Sequence, residues 1–82
     1  MTAATLPLAV VGRFSVLHTP GSPLVTVAGD YHGEQLDRDG WKARVAFYRR
    51  MRDRQEGRFA HFYGASLAAA EIALAALERE GG

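Results

Sequence analysis

Trp41-Lys-Ala-Arg-Val-Ala-Phe-Tyr-Arg-Arg-Met-Arg-Asp-Arg-Gln55 is the stretch on which the fold turns. Read with a period of two, Trp41, Ala43, Val45 and Phe47 line one face while Lys42, Arg44, Ala46 and Tyr48 line the other, so apolar and basic groups separate. Read with a helical period, Trp41, Arg44, Phe47, Tyr48, Met51 and Gln55 share a stripe that mixes apolar with charged groups, although helix propensity is good from Arg49 to Glu56. Gly57 suits a helix stop or a hairpin turn equally. The binary pattern favours a strand.

Working outward, Leu8–His18 is rich in β-branched and aromatic residues and ends at the turn signal Thr19-Pro-Gly-Ser-Pro23. Leu24–Ala28 follows, so residues 1–30 read as an amino-terminal β-hairpin. Tyr31–Gly40 is polar and reads as a loop or an irregular strand. On the other side, Arg58–Tyr63 reads as a short aromatic strand. Gly64 and Ala65 then supply a turn, and Ser66 an N-cap whose hydroxyl accepts from the first helical turn. Leu67–Glu80 is an alanine-rich helix stopped by Gly81-Gly82, with Leu67, Ala70, Leu74 and Leu77 as the stripe facing a sheet. The predicted fold is α+β: one domain over residues 1–82, with a sheet-plus-helix unit at 31–80. A small antiparallel sheet of three to five strands packs against one C-terminal helix, and Trp41, Val45, Phe47, Leu74 and Leu77 form the core.

The chain of 82 residues is 48% hydrophobic, enough apolar surface for an ordered domain. It has no cysteine, which excludes a disulfide framework, a thiolate zinc site and a cysteine nucleophile. No apolar run approaches the roughly 20 residues needed to cross a bilayer, and Met1–Leu8 lacks the positive charge of a signal peptide. A soluble, cytoplasmic protein without a membrane partner is expected. Ser15, Ser22 and Ser66 are the only serines, and none stands in a Gly-x-Ser-x-Gly turn. His18, His32 and His61 would have to converge with Asp30 or Glu34 to hold a metal, and no His-x-x-x-His pair is present. Gly29, Gly33 and Gly40 precede no Lys-Ser/Thr helix start, so they form no phosphate loop. No catalytic residue, cofactor or metal is expected, and the chain reads as a non-enzyme.

Charge is the informative feature. Met1–Asp37 carries a local −2 and Phe59 onward another −2, whereas Arg38–Arg58 carries +5. Its basic residues are Arg38, Lys42, Arg44, Arg49, Arg50, Arg52, Arg54 and Arg58, mostly the side chain suited to bidentate phosphate and guanine contacts. As a strand, Lys42, Arg44 and Tyr48 would point outward together, and Arg49–Arg54 would form a basic hairpin tip. A two-stranded ribbon of this kind can enter the DNA major groove.

Tyr31-His-Gly33, Gly40-Trp-Lys-Ala-Arg-Val45, Arg58-Phe-Ala-His-Phe62 and the helix from Ser66 together resemble the plant ethylene-response-factor type of DNA-binding domain and the related amino-terminal arms of phage integrases. The resemblance covers about residues 31–80. It implies a three-stranded sheet on one helix that reads duplex DNA through sheet arginines and a tryptophan. Leu67-Ala-Ala-Ala70 stands where that family has a Glu-Ala pair. Gly64-Ala-Ser66 is similar to the start of the last helix in double-stranded-RNA-binding domains, but Leu67 and Ala68 replace that family's phosphate-gripping lysines. The expected function is therefore a small nucleic-acid-binding or regulatory module. The alternative is a protein–protein interaction module, such as a phage-type inhibitor of the anti-CRISPR kind, docking the same arginines on an acidic partner. Helix residues Ile72, Ala68, Ala69 and Ala76, left over by the sheet-facing stripe, suggest a homodimer interface.

Overall fold

The computed structural model describes residues 5–30, 33–57 and 60–81. Strands β1 (Leu6–Val11), β2 (Phe14–His18), β3 (Val25–Ala28) and β4 (Gly33–Leu36) pair in chain order as an antiparallel meander. Helices α1 (Arg38–Gly57) and α2 (Ala60–Gly81) follow and pack against each other. The architecture is α+β, and its four strands lie within the expected three to five. Two helices, rather than one, accompany the sheet. No helix among the described residues is long and apolar enough to cross a membrane.

The apolar run Leu8–His18 is not one strand. It reverses at Gly12, whose φ of 58° lies in the left-handed region that glycine enters without Cβ strain. The amino-terminal segment is thus the β1–β2 hairpin, and β2 and β3 form the second hairpin across the predicted Pro/Gly loop. The polar stretch read as a loop or an irregular strand supplies strand β4 from Gly33 onward. Tyr31, His32, Arg58 and Phe59 lie outside the described residues.

The largest correction concerns Trp41–Gln55, which is helical throughout. Two local forces outweigh the alternating pattern. Asp37 caps the helix by accepting the Gly40 N–H at 2.8 Å, and Asp39 sits favourably in the first turn. A helix also brings Trp41, Val45 and Tyr48 onto one stripe, with Arg44 and Arg52 flanking it on long aliphatic stems. Ala60–Tyr63, the described part of the expected aromatic strand Arg58–Tyr63, is likewise helical, since α2 begins at Ala60. Ser66 is therefore six residues inside α2 and caps nothing.

The strand-borne tryptophan and arginines on which the ethylene-response-factor resemblance stands are consequently on a helix.

One sheet face is covered by α2. Ala65 lies 3.4 Å from where a Cβ on Gly12 would sit, and Glu80 accepts the Gly21 N–H, so α2 runs from the β1–β2 turn to the β2–β3 loop. Between those ends, Ala69, Ala73 and Ala76 fall on the same helical stripe and are buried. Their small side chains let the helix approach Val16 and Val25 closely, which corrects the leucine stripe expected there. Leu74 instead borders Val45, Ala46 and Arg49 of α1. Trp41, Val45 and Leu77 are in the core as expected and Leu74 is partly buried, whereas Phe47 is exposed. The opposite sheet face is built by the pairs Pro7–Leu17, Val10–Ser15, Ser15–Ala28, Thr26–Gln35 and Ala28–Gly33, and these residues carry no ionisable group.

Candidate nucleic-acid interface

Helix α1 carries Arg38, Lys42, Arg44, Arg49, Arg50, Arg52 and Arg54 against Asp39, Asp53 and Glu56, a local +4 on a chain whose net charge is +1. The basic surface is thus a helix rather than the expected hairpin. Arg58 lies outside the described residues.

The fold uses some of these cations internally. Arg44 is hydrogen-bonded to Glu34 of β4, with both side chains partly buried. Arg49 stands 3.8 Å from Glu71 of α2, across a groove also bordered by Lys42 and Glu78. Arg52 donates to Asp53 at 2.9 Å. This hydrogen bond holds the Asp53 carboxyl below its ordinary range and raises the already high Arg52.

Arg50 and Arg54 have no such role. Together with Ala43 and Phe47 they lie at i, i+4, i+7 and i+11 on the exposed side of α1, and neither pairs with a carboxylate among the described residues. Like charges one turn apart cost a helix about 0.2–0.5 kcal/mol. The last-turn position of Arg54 offsets part of this through the helix dipole. Arg38 and Lys42 extend the exposed basic surface toward the helix start.

Beside α1 the sheet and both helices enclose a cleft of about 220 Å³ lined by Phe14, Val27, Glu34, Trp41, Arg44, Tyr48 and Ser66. Its back wall is fixed, because the Trp41 indole N–H donates to the Val25 carbonyl at 3.0 Å. Burial raises Tyr48 above its ordinary value, and Glu34 and Tyr63 push the same way against the lowering effect of Arg44. Of these residues, the sequence reading placed Trp41 in the core, Arg44 and Tyr48 on a binding surface, and Ser66 as a cap. Phe14 and Val27 were read only as strand residues. Glu34 was considered only as a metal ligand. The alternation Glu34–Leu36 after Gly33 was the available signal that this carboxylate faces inward.

A second cleft of about 390 Å³ lies where the β2–β3 loop meets the start of α1, bordered by Asp37, Arg38, Asp39 and Glu80. Three of its lining residues, Gly21, Ser22 and Glu80, belong to a clasp around His18. Buried His18 bonds the Ser22 carbonyl through Nε2 at 3.0 Å, its Nδ1 lies 3.9 Å from Glu80, and Glu80 accepts the Gly21 N–H at 3.1 Å.

The remaining candidates are dispersed. Ser22 Oγ accepts the Leu24 N–H within its loop, and Ser15 is on the open sheet face. Asp30 stands 3.8 Å from Arg13. Gly33 is in β4 and Gly40 in α1. His32 is not among the described residues, and the side chain of His61 is likewise not described. No group of three metal-ligating side chains occurs among the described residues. For the expected dimer stripe, Ala69 and Ala76 are buried within the monomer and Ile72 packs partly against the core, leaving only Ala68 comparatively open. The chain matches no protein-family model, no curated protein and no solved structure.

Proposed function

We propose that this protein is a small nucleic-acid-binding module that lays the outer face of α1 along a duplex. The observation that carries the reading is the division of labour among its arginines. Arg44, Arg49 and Arg52 face carboxylates of the fold, while Arg50 and Arg54 project together from one exposed face without a carboxylate among the described residues. Ala43 and the exposed Phe47 share that face with them. Arginine on an exposed helix suits phosphate and guanine contacts, and neutralised phosphates release counterions in proportion to their number.

Duplex-DNA binding by fluorescence anisotropy across a potassium chloride series tests this. The wild-type protein should bind at low salt, and Arg50→Ala with Arg54→Ala should reduce the slope of log affinity against log salt by about two. Arg44→Ala should change it less, since Glu34 already neutralises that guanidinium. Absence of binding at low salt would turn the same surface toward an acidic protein partner.

A further inference from the structure

We infer that the cleft of Phe14, Glu34, Trp41, Arg44, Tyr48 and Ser66 is a pocket for a single unpaired guanine base. This deepens the nucleic-acid reading, but it stands on residues other than the exposed arginines.

Three aromatic residues line the cleft, the half-buried Phe14 and Tyr48 and the buried Trp41. Unstacked bases are held by aromatic faces, with specificity supplied along the base edge. At about 220 Å³ the cleft is smaller than the 300–1,000 Å³ typical of sites for drug-sized ligands, so it admits one ring system and leaves the sugar and phosphate at its mouth. Trp41 is already locked by its bond to Val25, so binding need not order that wall.

The polar edge selects the base. Glu34 and Arg44 sit side by side, and their mutual bond uses one oxygen of the carboxylate and one nitrogen of the guanidinium. The second carboxylate oxygen remains an acceptor, and the guanidinium keeps further N–H donors. Along one edge guanine presents the N2 amino donor, the N1–H donor and then the O6 acceptor. A carboxylate beside a guanidinium matches that order. Adenine and cytosine offer one amino donor beside a ring-nitrogen acceptor, and uracil offers one donor between two acceptors. Each of the three therefore gives the carboxylate one hydrogen bond where guanine gives two, and Ser66, which also lines the cleft, can bond to either kind of group.

Trp41 is the only tryptophan, so its indole N–H gives a single nuclear magnetic resonance signal from the back wall of the pocket. The full chain is titrated with guanosine, adenosine, cytidine and uridine monophosphates while that signal is followed. Guanosine monophosphate should shift it saturably, at least tenfold more tightly than the other three, and Glu34→Gln should weaken it at least tenfold. If Glu34→Gln fails to fold, Ser66→Leu, which fills the cleft without touching the ion pair, should abolish the shift. Equal responses to all four nucleotides, no response to any, or full guanosine monophosphate affinity in the folded variants would overturn the proposal. Duplex binding by Ser66→Leu separates the two readings. Its retention with loss of the nucleotide response locates each activity on its own surface, whereas nucleotide binding without duplex binding leaves the pocket standing and removes the α1 reading.

Discussion

The indole N–H of Trp41 donates to the main-chain carbonyl of Val25 at 3.0 Å, and both residues are buried. The first turn of α1 is thereby joined to β3, an inner strand of the sheet. Trp41→Phe keeps most of the apolar contact but leaves the carbonyl without this donor, a cost of about 1–3 kcal/mol. Trp41→Ala adds a cavity and should cost about 3–5 kcal/mol. A domain of 82 residues has roughly 4–12 kcal/mol in total, so the alanine variant should stand near the unfolding threshold in urea melts monitored by circular dichroism.

Gly12→Ala should destabilise through the backbone. The added Cβ would meet Ala65 at an ordinary 3.4 Å, so space is available, but φ of 58° is strained for any residue with a Cβ. The cost is about 1–2 kcal/mol, or a fall in Tm of roughly 4–16 °C for a domain of this size. Gly12→Asn should lose less, because asparagine tolerates that region better. Thermal melts of the two variants compare them directly.

At the start of α1 two substitutions should act against simple propensity. Asp37→Ala removes the acceptor for the Gly40 N–H and should cost about 0.5–2 kcal/mol, while Asp37→Ser should retain most of the cap. Gly40→Ala should destabilise as well, although alanine is the better helix former by about 1 kcal/mol. Its Cβ would stand 2.9 Å from the Leu36 Cβ, an atom close to the backbone that cannot swing away. A stabilised Gly40→Ala in chemical denaturation would contradict the packing described for this junction.

Tyr48 should make stability fall at alkaline pH. Its folded value is raised above 10.0 by burial and then by Glu34, so the native state retains a proton that the unfolded chain releases. Stability from this group is full below the unfolded value and declines as pH rises through the folded one. Urea midpoints at about pH 9 and about pH 11 should diverge less in Tyr48→Phe than in the wild type. Glu34→Gln should lower the pH at which Tyr48 ionises, read as tyrosinate absorbance.

Much of the sheet was legible, because β-branched runs and the Thr19–Pro23 turn specify β2 and β3 locally. The break at Gly12 was not, since Val11 and Phe14 continue the apolar run on either side of a two-residue reversal. The basic segment misled for a definite reason. Alternation sorts Trp41–Tyr48 into clean faces, and a rule based on polarity assigns arginine to water. Here Arg44 and Arg52 border the helix's inner stripe, and Glu34 and Asp53 receive their charged ends. The basic residues themselves were found from charge alone. The cleft was hidden, because Phe14, Glu34 and Ser66 come together only once β2, β4 and α2 are assembled.

The alanine face of α2 has a temporal meaning during synthesis. Val16 and Val25 leave the ribosome early, but Ala69, Ala73, Ala76 and Leu77, which cover them, follow about 45–60 residues later. At about 5–20 residues per second that interval is roughly 2–12 s. Throughout it, the nascent meander can pair its strands but cannot bury its inner face. Of the elements of this fold, α2 is made after all the strands and closes the core, so nascent chains stalled within α2 should be protease-sensitive throughout this fold and become resistant together once α2 is free.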